Sequence, residues 1–141
     1  MAERAYLADT SVYVLQGRHP QVRRRFETLL AEGRLAGCQM TALEFLNNAP
    51  DPRSYEVLWG ALHAHRWLEV TTPAMARALE IHRALAETSQ HRHFSLPDLI
   101  IAATAEAHDA TVLHYDADYD RIAAVTGQPM EWVAAKGSLQ A

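Results

Sequence analysis

The sequence predicts an α/β protein in which a short, parallel central sheet is flanked by helices on both faces, an α/β/α sandwich. Two observations predict this class. Short apolar segments alternate with longer segments whose apolar residues recur at helical spacing. The short segments are almost continuously hydrophobic, which is typical of parallel strands buried on both faces. With 141 residues, of which 49% are hydrophobic, we expect a single domain over residues 1–141.

In the N-terminal part, turn residues separate the elements. Gly17 and Pro20 end a first short helix, and Gly33 follows a second helix with one apolar face. The segment 41–44 (TALE) fits a capping box, so a third helix is predicted to begin at Thr41. The predicted strands here are residues 5–8 and 35–40, and the predicted helices are residues 11–16, 21–32 and a segment from Thr41 that ends before Pro50.

In the remainder of the chain, helical spacing predicts which residues turn inward. The helix predicted over 54–65 is expected to bury Val57, Leu58, Ala61 and Leu62, and the helix over 73–89 is expected to bury Met75, Leu79, His82 and Leu85. Two further helices are predicted over 96–108 and 119–125. The predicted strands are residues 67–70, 111–114 and 131–133.

Composition narrows the function classes. A formal net charge of −4 argues against a protein that coats nucleic acid without specificity, although metal-binding carboxylates lower the charge of a metal-free nuclease. The single Cys38 is unable to form an intrachain disulfide, and its apolar setting predicts burial. Asp9 interrupts the only apolar run near the N-terminus, and the longest apolar stretch, residues 99–103, is too short to span a bilayer. We therefore expect a cytoplasmic protein without membrane association.

Four acidic residues lie where the chain changes direction: Asp9, Glu44, Asp98 and Asp116. Asp9 and Asp116 follow short apolar strands, and Glu44 and Asp98 lie in the first turns of predicted helices. Each has a structural explanation when taken alone, as a helix cap or a charge that suits the helix macrodipole. Together they are expected to meet beyond the carboxyl ends of the strands, where open sheets of this kind bind ligands.

Four carboxylates at one edge repel one another. At about 5 Å and an effective dielectric constant of about 20, each like-charged pair costs roughly 3 kcal/mol. A hard divalent cation with oxygen ligands removes this cost. The acids therefore predict a metal site, and the absence of an evident Ser-His-Asp set points to hydrolysis assisted by a metal ion.

These residues resemble the acidic motifs of PIN-domain ribonucleases, in particular VapC-type toxins of bacterial toxin–antitoxin pairs. The resemblance covers nearly the whole chain, in order and at similar spacing. The matching segments are residues 7–11 (LADTS), 42–46 (ALEFL), 96–102 (LPDLIIA) and 114–120 (HYDADYD). The chain departs from many relatives at Tyr119, where they carry Phe, and at His114, where they carry Thr or Ser.

The resemblance implies an endoribonuclease in which Asp9, Glu44, Asp98 and Asp116 hold one or two Mg²⁺ or Mn²⁺ ions. Asp118 supports the site or binds through water, and Thr10 contacts a phosphate or steadies Asp9. We expect in-line attack by an activated water that leaves 5′-phosphate and 3′-hydroxyl ends. Residues predicted to hold the RNA backbone are Arg23, Arg24 and Arg25, in a basic segment whose alternative role is a solvated helix face.

The resemblance also implies two protein partners, a cognate antitoxin and a second copy of the chain. Val12, Val14, Leu58 and Trp59 are candidates for the antitoxin groove or the dimer contact, with burial in the core as the alternative. Two other functions stay open. One is a housekeeping PIN nuclease of RNA maturation, and the other is a non-catalytic PIN-like scaffold that binds RNA.

Overall fold

The computed structural model describes residues 3–139. The strands are β1 (Tyr6–Ala8), β2 (Leu35–Gly37), β3 (Arg66–Trp67), β4 (Thr111–His114) and β5 (Met130–Trp132). The helices are α1 (Thr10–Gln16), α2 (Pro20–Ala31), α3 (Gln39–Leu46), α4 (Pro52–Ala61), α5 (Thr72–Ala86), α6 (Leu96–Ala107) and α7 (Ala117–Thr126), with a 3-10 turn at Leu62–Ala64 after α4. All strands are parallel, in the order β3-β2-β1-β4-β5. The predicted fold class is confirmed.

Successive side chains of the central strand enter two separate cores. Leu7 packs in a cluster with Ile81 of α5 and Leu99 of α6, whereas Ala8 packs in a cluster with Val12 of α1 and Val22 of α2. This alternation follows from the two-residue period of a strand. Helices therefore cover both faces of the sheet, which explains why the strands are hydrophobic throughout.

The start of α3 differs from the prediction. β2 ends at Gly37, and α3 begins at Gln39 rather than Thr41. Cys38, which is buried as expected, is the N-cap, and its backbone N–H donates to Thr41 Oγ1 at 2.9 Å. Thr41 thus occupies the position that the capping-box interpretation gave to Glu44. The carboxylate of Glu44 is consequently not needed as a cap.

The predicted inward face of α4 was wrong, and that of α5 was wrong at Met75 and Leu79 but correct at Leu85. No residue of α4 is buried, and Val57 is 66% exposed. On α5 the buried residues are Ala74, Ala78, Ile81 and Leu85, whereas Leu79 is 72% exposed and Met75 is exposed as well. Ala74 and Ala78 have small side chains that let α5 approach α6 closely. Packing therefore buried the face of α5 that contains them and left Met75 and Leu79 exposed.

The strand order places a topological switch point between β1 and β4. From β1 the chain passes through α1 and α2 to β2 on one side, whereas β4 and β5 lie on the other side. Asp9 comes directly after β1, and its backbone N–H donates to Leu113 of β4 at 2.9 Å. Such a point in an open α/β sheet is where ligands bind. Within residues 3–139, every helix is too short or too polar to cross a bilayer.

Candidate metal centre

Three carboxylates form a compact cluster at this edge. Asp98, Asp116 and Asp118 each offer an oxygen within 4.8 Å of the others. Asp98 lies in the first turn of α6, Asp116 is the N-cap of α7, and Asp118 follows in the first turn of α7. The backbone N–H of Asp118 donates to Asp116 Oδ1 at 2.8 Å. Asp116 therefore caps the helix.

A tyrosine hydroxyl joins Asp9 to this cluster. Tyr119 is fully buried, and its Oη lies 2.7 Å from Asp9 Oδ1 and 3.2 Å from Asp98 Oδ1. The other oxygen of Asp9 accepts from the backbone N–H of Ser11 at 3.2 Å and from its hydroxyl at 2.7 Å. Asp9 is thus both the N-cap of α1 and a member of the acidic site. Burial, followed by the charges of Asp9 and Asp98, raises the pKa of Tyr119 well above its usual value, so the hydroxyl keeps its proton.

Glu44 is tied to the site by Thr10. The Thr10 hydroxyl donates to Glu44 Oε1 at 3.0 Å. The interpretation in which Thr10 steadies Asp9 is therefore replaced, since Ser11 bonds Asp9 and Thr10 bonds Glu44. Burial raises the pKa of Glu44, the hydrogen bond from Thr10 lowers it, and the charge of Asp9 raises it further.

The pKa of Asp98 reflects its burial and the charges of the other three predicted acids. Burial, then the charge of Asp9, raises the pKa of Asp98 to about 7, although the Tyr119 hydrogen bond acts in the opposite direction. The charges of Asp116 and Glu44 add to the rise. Burial and nearby negative charge thus both disfavour ionisation of Asp98, and no basic side chain of residues 3–139 forms an ion pair with it. Hard oxygen donors in such a setting fit Mg²⁺ or Mn²⁺.

Several residues of the site were given no role from the sequence. Ser11 and Tyr119 bond Asp9, and buried His114 accepts the backbone N–H of Asp116 through Nδ1 at 3.2 Å. The contact between His114 and Asp116 could have been deduced from the sequence, because His114 ends β4 two residues before Asp116. The role of Tyr119 had no comparable local signal, because its partner Asp9 is distant along the chain.

The predicted RNA-binding arginines lie on α2, apart from the acids. Arg25 pairs with Glu131 at 2.9 Å and lies over the ring of Tyr6, three residues before Asp9 on β1. Three residues of strand correspond to about 10 Å. Arg23 donates from Nε to the Gln16 carbonyl at 3.1 Å, and Arg24 is exposed. Among the described residues, none of these side chains contacts an acid of the cluster.

A largely apolar groove lies beside the acids. It has a volume of about 650 Å³ and runs between α3 and α4. Leu43 is 62% exposed and Trp59 is 51% exposed at its walls. Glu44 follows Leu43 on α3, so one helix contributes to both the acidic site and the groove. Of the four residues considered for this surface, Val12 belongs to the core and Trp59 lines the groove.

Comparisons with known proteins agree with this architecture. The family profile described as PIN domain matches residues 6–125. Ribonuclease VapC51 of Mycobacterium tuberculosis is 46% identical over 134 residues, which cover 95% of this chain and 96% of the relative. Ribonuclease VapC21 of the same species is 44% identical over 94% of this chain and 96% of the relative. The chain therefore belongs to the PIN-domain family, and its relatives place it in the VapC-type group of that family.

Solved structures show the same fold. The crystal structure of DNA-bound VapBC from Salmonella typhimurium contains a chain that superposes with a TM-score of 0.75, at 19% identity, over 94% of this chain and 100% of that chain. VapBC-1 from nontypeable Haemophilus influenzae superposes with a TM-score of 0.72, at 18% identity, over 92% of this chain and 98% of that chain.

Proposed function

We propose that the chain is a single-domain Mg²⁺- or Mn²⁺-dependent endoribonuclease that acts in the cytoplasm as the toxin of a type II toxin–antitoxin pair. The convergence of Asp9, Glu44, Asp98 and Asp116 at the switch point of the sheet is the observation that carries this proposal. The relatives are named VapC ribonucleases, which supports RNA as the substrate. The VapBC complexes with the same fold support the pairing with an antitoxin.

Some side chains of the site would hold the metal ion, and others orient the carboxylates. Asp98, Asp116 and Asp118 would hold a divalent ion, with Asp9 and Glu44 completing a site for one or two ions. The chemistry that such an ion supplies is activation of a water nucleophile and neutralisation of phosphate charge. Ser11 and Tyr119 orient Asp9, and Thr10 orients Glu44. We expect product ends with 5′-phosphate and 3′-hydroxyl groups, and an obligatory 2′,3′-cyclic phosphate would contradict this route.

Exposure decides which predicted residues could hold RNA. Asp116 is exposed, so the site opens to solvent on that side and a phosphodiester can reach it. Arg23 and Arg24 have exposed side chains on α2 and remain candidates for phosphate contacts at a distance from the reacting bond. Arg25 is the weaker candidate because its guanidinium already pairs with Glu131. Thr10 supports the site through Glu44 rather than by a free hydroxyl.

The antitoxin fits the groove between α3 and α4. Exposed apolar surface of this size marks a site for another molecule. A helix or extended segment with apolar side chains would cover Leu43 and Trp59 and pass directly beside Glu44. A basic side chain of such a partner would lie within reach of the acids, which explains how docking would also block the metal centre.

A second copy of the chain would use a different surface. Met75 and Leu79 on α5 and Leu96 at the start of α6 are exposed and line a smaller apolar groove of about 230 Å³. This face lies on the side of the sheet covered by α5 and α6. A monomer at micromolar concentration by analytical ultracentrifugation would contradict the dimer.

The direct test is cleavage of RNA in Mn²⁺ or Mg²⁺, with and without a chelator. We expect cleavage by the wild type, no cleavage in chelator, and a loss of at least about 100-fold in Asp9→Asn and Asp98→Asn. Asp109→Asn is the matched control, because Asp109 is an exposed acid that pairs only with Arg4 among the described residues. Cleavage that persists in chelator or in both site variants would refute the metal-dependent mechanism.

Two alternatives are separated by other measurements. A housekeeping nuclease of RNA maturation would share the site, but its expression would not arrest growth in a way that a small partner protein relieves. A non-catalytic scaffold would bind RNA without cleaving it in any divalent cation. The retention of every acid of the site counts against the scaffold.

A further inference from the structure

A basic pair lies at the margin of the metal centre. His93 belongs to the loop between α5 and α6, and Arg121 lies on α7. Arg121 Nη1 is 2.7 Å from His93 Nε2, and the same His93 nitrogen is 3.2 Å from Asp118 Oδ1. Arg121 Nη1 is itself 3.9 Å from Asp118 Oδ1. The guanidinium therefore lies next to one carboxylate of the acidic cluster.

The short contact defines the roles of the two side chains. A guanidinium has no acceptor and stays protonated, so Arg121 donates and His93 Nε2 accepts. An accepting Nε2 carries no proton to donate to Asp118. His93 thus acts as an orienting acceptor that holds one edge of the guanidinium in place.

Most N–H donors of Arg121 make no hydrogen bond to the described residues. A guanidinium has five N–H donors in a planar fork, and the structure gives Arg121 one hydrogen bond within residues 3–139. The 3.9 Å separation from Asp118 exceeds the roughly 2.7–2.9 Å of a charge-assisted hydrogen bond. Half of the side chain is exposed. The free edges of the fork have the shape that binds a phosphate in two hydrogen bonds.

Arg121 is also distinct among the cations of the chain. In the described part of the chain, it is the one Lys or Arg side chain that approaches an acid of the cluster. The other paired arginines bond acids elsewhere, as Arg25 does with Glu131 and Arg77 does with Glu106. A purely stabilising role is weak, because a partly exposed ion pair three residues apart on a helix contributes little to stability.

We propose that Arg121, oriented by His93, binds a phosphate of the RNA strand next to the metal centre. This inference rests on the proposed ribonuclease function and assigns that site a specific phosphate contact. It shifts the principal RNA contact from the predicted segment on α2 to α7.

The test is steady-state cleavage of a single-stranded RNA in Mn²⁺ at several salt concentrations. For Arg121→Gln we expect KM to rise roughly fivefold to tenfold with kcat unchanged, which is the signature of lost uniform binding. The slope of log(kcat/KM) against log salt should become shallower by about 0.7, the value for one phosphate on a single strand. Arg121→Lys should restore the slope but only part of KM.

Further variants exclude indirect effects. Arg92→Gln, in the same loop as His93, is the matched control and should leave both KM and the slope unchanged. His93→Leu should raise KM, whereas His93→Gln retains an acceptor and should raise it less. Calorimetric titration of Arg121→Gln with Mn²⁺ should show metal binding that is not weakened, because the variant removes a positive charge near Asp118.

Two results would overturn this inference and leave the proposed ribonuclease function intact. In the first, the wild type cleaves RNA and the Arg121→Gln variant has the same KM and the same salt slope as the wild type. In the second, the Arg92→Gln variant loses as much as Arg121→Gln, which would indicate a diffuse basic surface. A wild type that cleaves no RNA in any divalent cation would overturn the proposed function, and this inference with it.

Discussion

The metal centre and the α3–α4 groove depart from the usual distribution of side chains in opposite directions. At the centre, Asp9 is buried and Asp98 is half-buried, although ionised groups are ordinarily left in water. At the groove, Leu43 and Trp59 stay exposed, although large apolar side chains are ordinarily buried. The two regions meet on α3, where Leu43 faces one and Glu44 the other. The difference teaches that each region is incomplete in a different way, one lacking positive charge and the other lacking apolar cover.

Removal of an apolar side chain from the wall of the groove is expected to have a large effect on antitoxin binding, and it tests whether the two regions act separately. Trp59→Ser should weaken binding of the cognate antitoxin at least about 30-fold, because a large aromatic side chain at an interface often contributes 2 kcal/mol or more. RNA cleavage by the free protein should not change. Isothermal titration calorimetry with the antitoxin and a cleavage assay measure the two quantities.

Val57→Ser is the matched control for this variant. Val57 lies on the same helix and is exposed, but it does not line the groove. The control should bind the antitoxin as the wild type does. Equal losses in the two variants, or an unchanged affinity in Trp59→Ser, would show that the antitoxin docks elsewhere.

A second variant acts where α1 meets α3. Thr10→Val removes the hydroxyl that donates to Glu44 and leaves a half-buried carboxylate with one partner fewer. We expect kcat/KM for RNA to fall about tenfold, with weaker Mn²⁺ binding and no change in antitoxin affinity. Thr10→Ser retains the hydroxyl and should stay near the wild type. Full activity of Thr10→Val would mean that Glu44 needs no orientation.

Tyr119→Phe tests whether the centre is held by hydrogen bonds in the absence of a cation. Loss of the 2.7 Å bond to buried Asp9 should lower the free energy of unfolding by about 1–3 kcal/mol in chelator. Saturating Mn²⁺ should reduce this difference, since the ion then neutralises Asp9. Urea unfolding with and without Mn²⁺ provides the measurement.

Tyr13→Phe is the comparison for that experiment, because the Tyr13 hydroxyl makes no hydrogen bond to the described residues and burial raises its pKa well above the usual value. Its stability should hardly change. A Tyr119→Phe protein as stable in chelator as the wild type would refute the positioning role of the hydroxyl.

The last expected effect is on the pH dependence of stability. Asp98 has a pKa of about 7 in the folded, metal-free protein and an ordinary value of 3.8 when unfolded. Between these values the folded state binds more protons, so this group makes stability fall as pH rises from about 4 to about 7. Burial raises this pKa most, the charges of Asp9, Asp116 and Glu44 raise it further, and the hydrogen bond from Tyr119 lowers it.

Unfolding of the wild type and of Asp98→Asn in chelator at pH 5 and pH 8 isolates this contribution. Burial lowers the pKa values of His65 and His114, which makes stability rise with pH toward 6.5. Their contribution is common to both proteins and cancels in the difference. The stability advantage of Asp98→Asn should therefore be larger at pH 8 than at pH 5, and an equal advantage at both would show that the pKa of Asp98 is not raised in the folded protein.

Local patterns in the sequence were sufficient for the elements that end at the site. A short apolar run followed by an acid identified the ends of β1 and β4, and Pro97 followed by Asp98 identified the first turn of α6. The face of α4 and part of the face of α5 were mispredicted for a physical reason. Hydrophobicity shows which residues could be buried, whereas the contact with α6 selected alanines that permit close approach, and the groove left Trp59 and its neighbours uncovered.

The sequence by itself determined the fold class and the edge of the sheet at which the acids gather, because strand period, turn residues and helix starts are properties of neighbours along the chain. Only the tertiary structure decided which oxygens share a site. It brought Asp118 into the cluster, gave Thr10 to Glu44, and joined Asp9 to Tyr119 across 110 positions of sequence. Such contacts depend on how separate elements pack in three dimensions, and no local pattern records that packing.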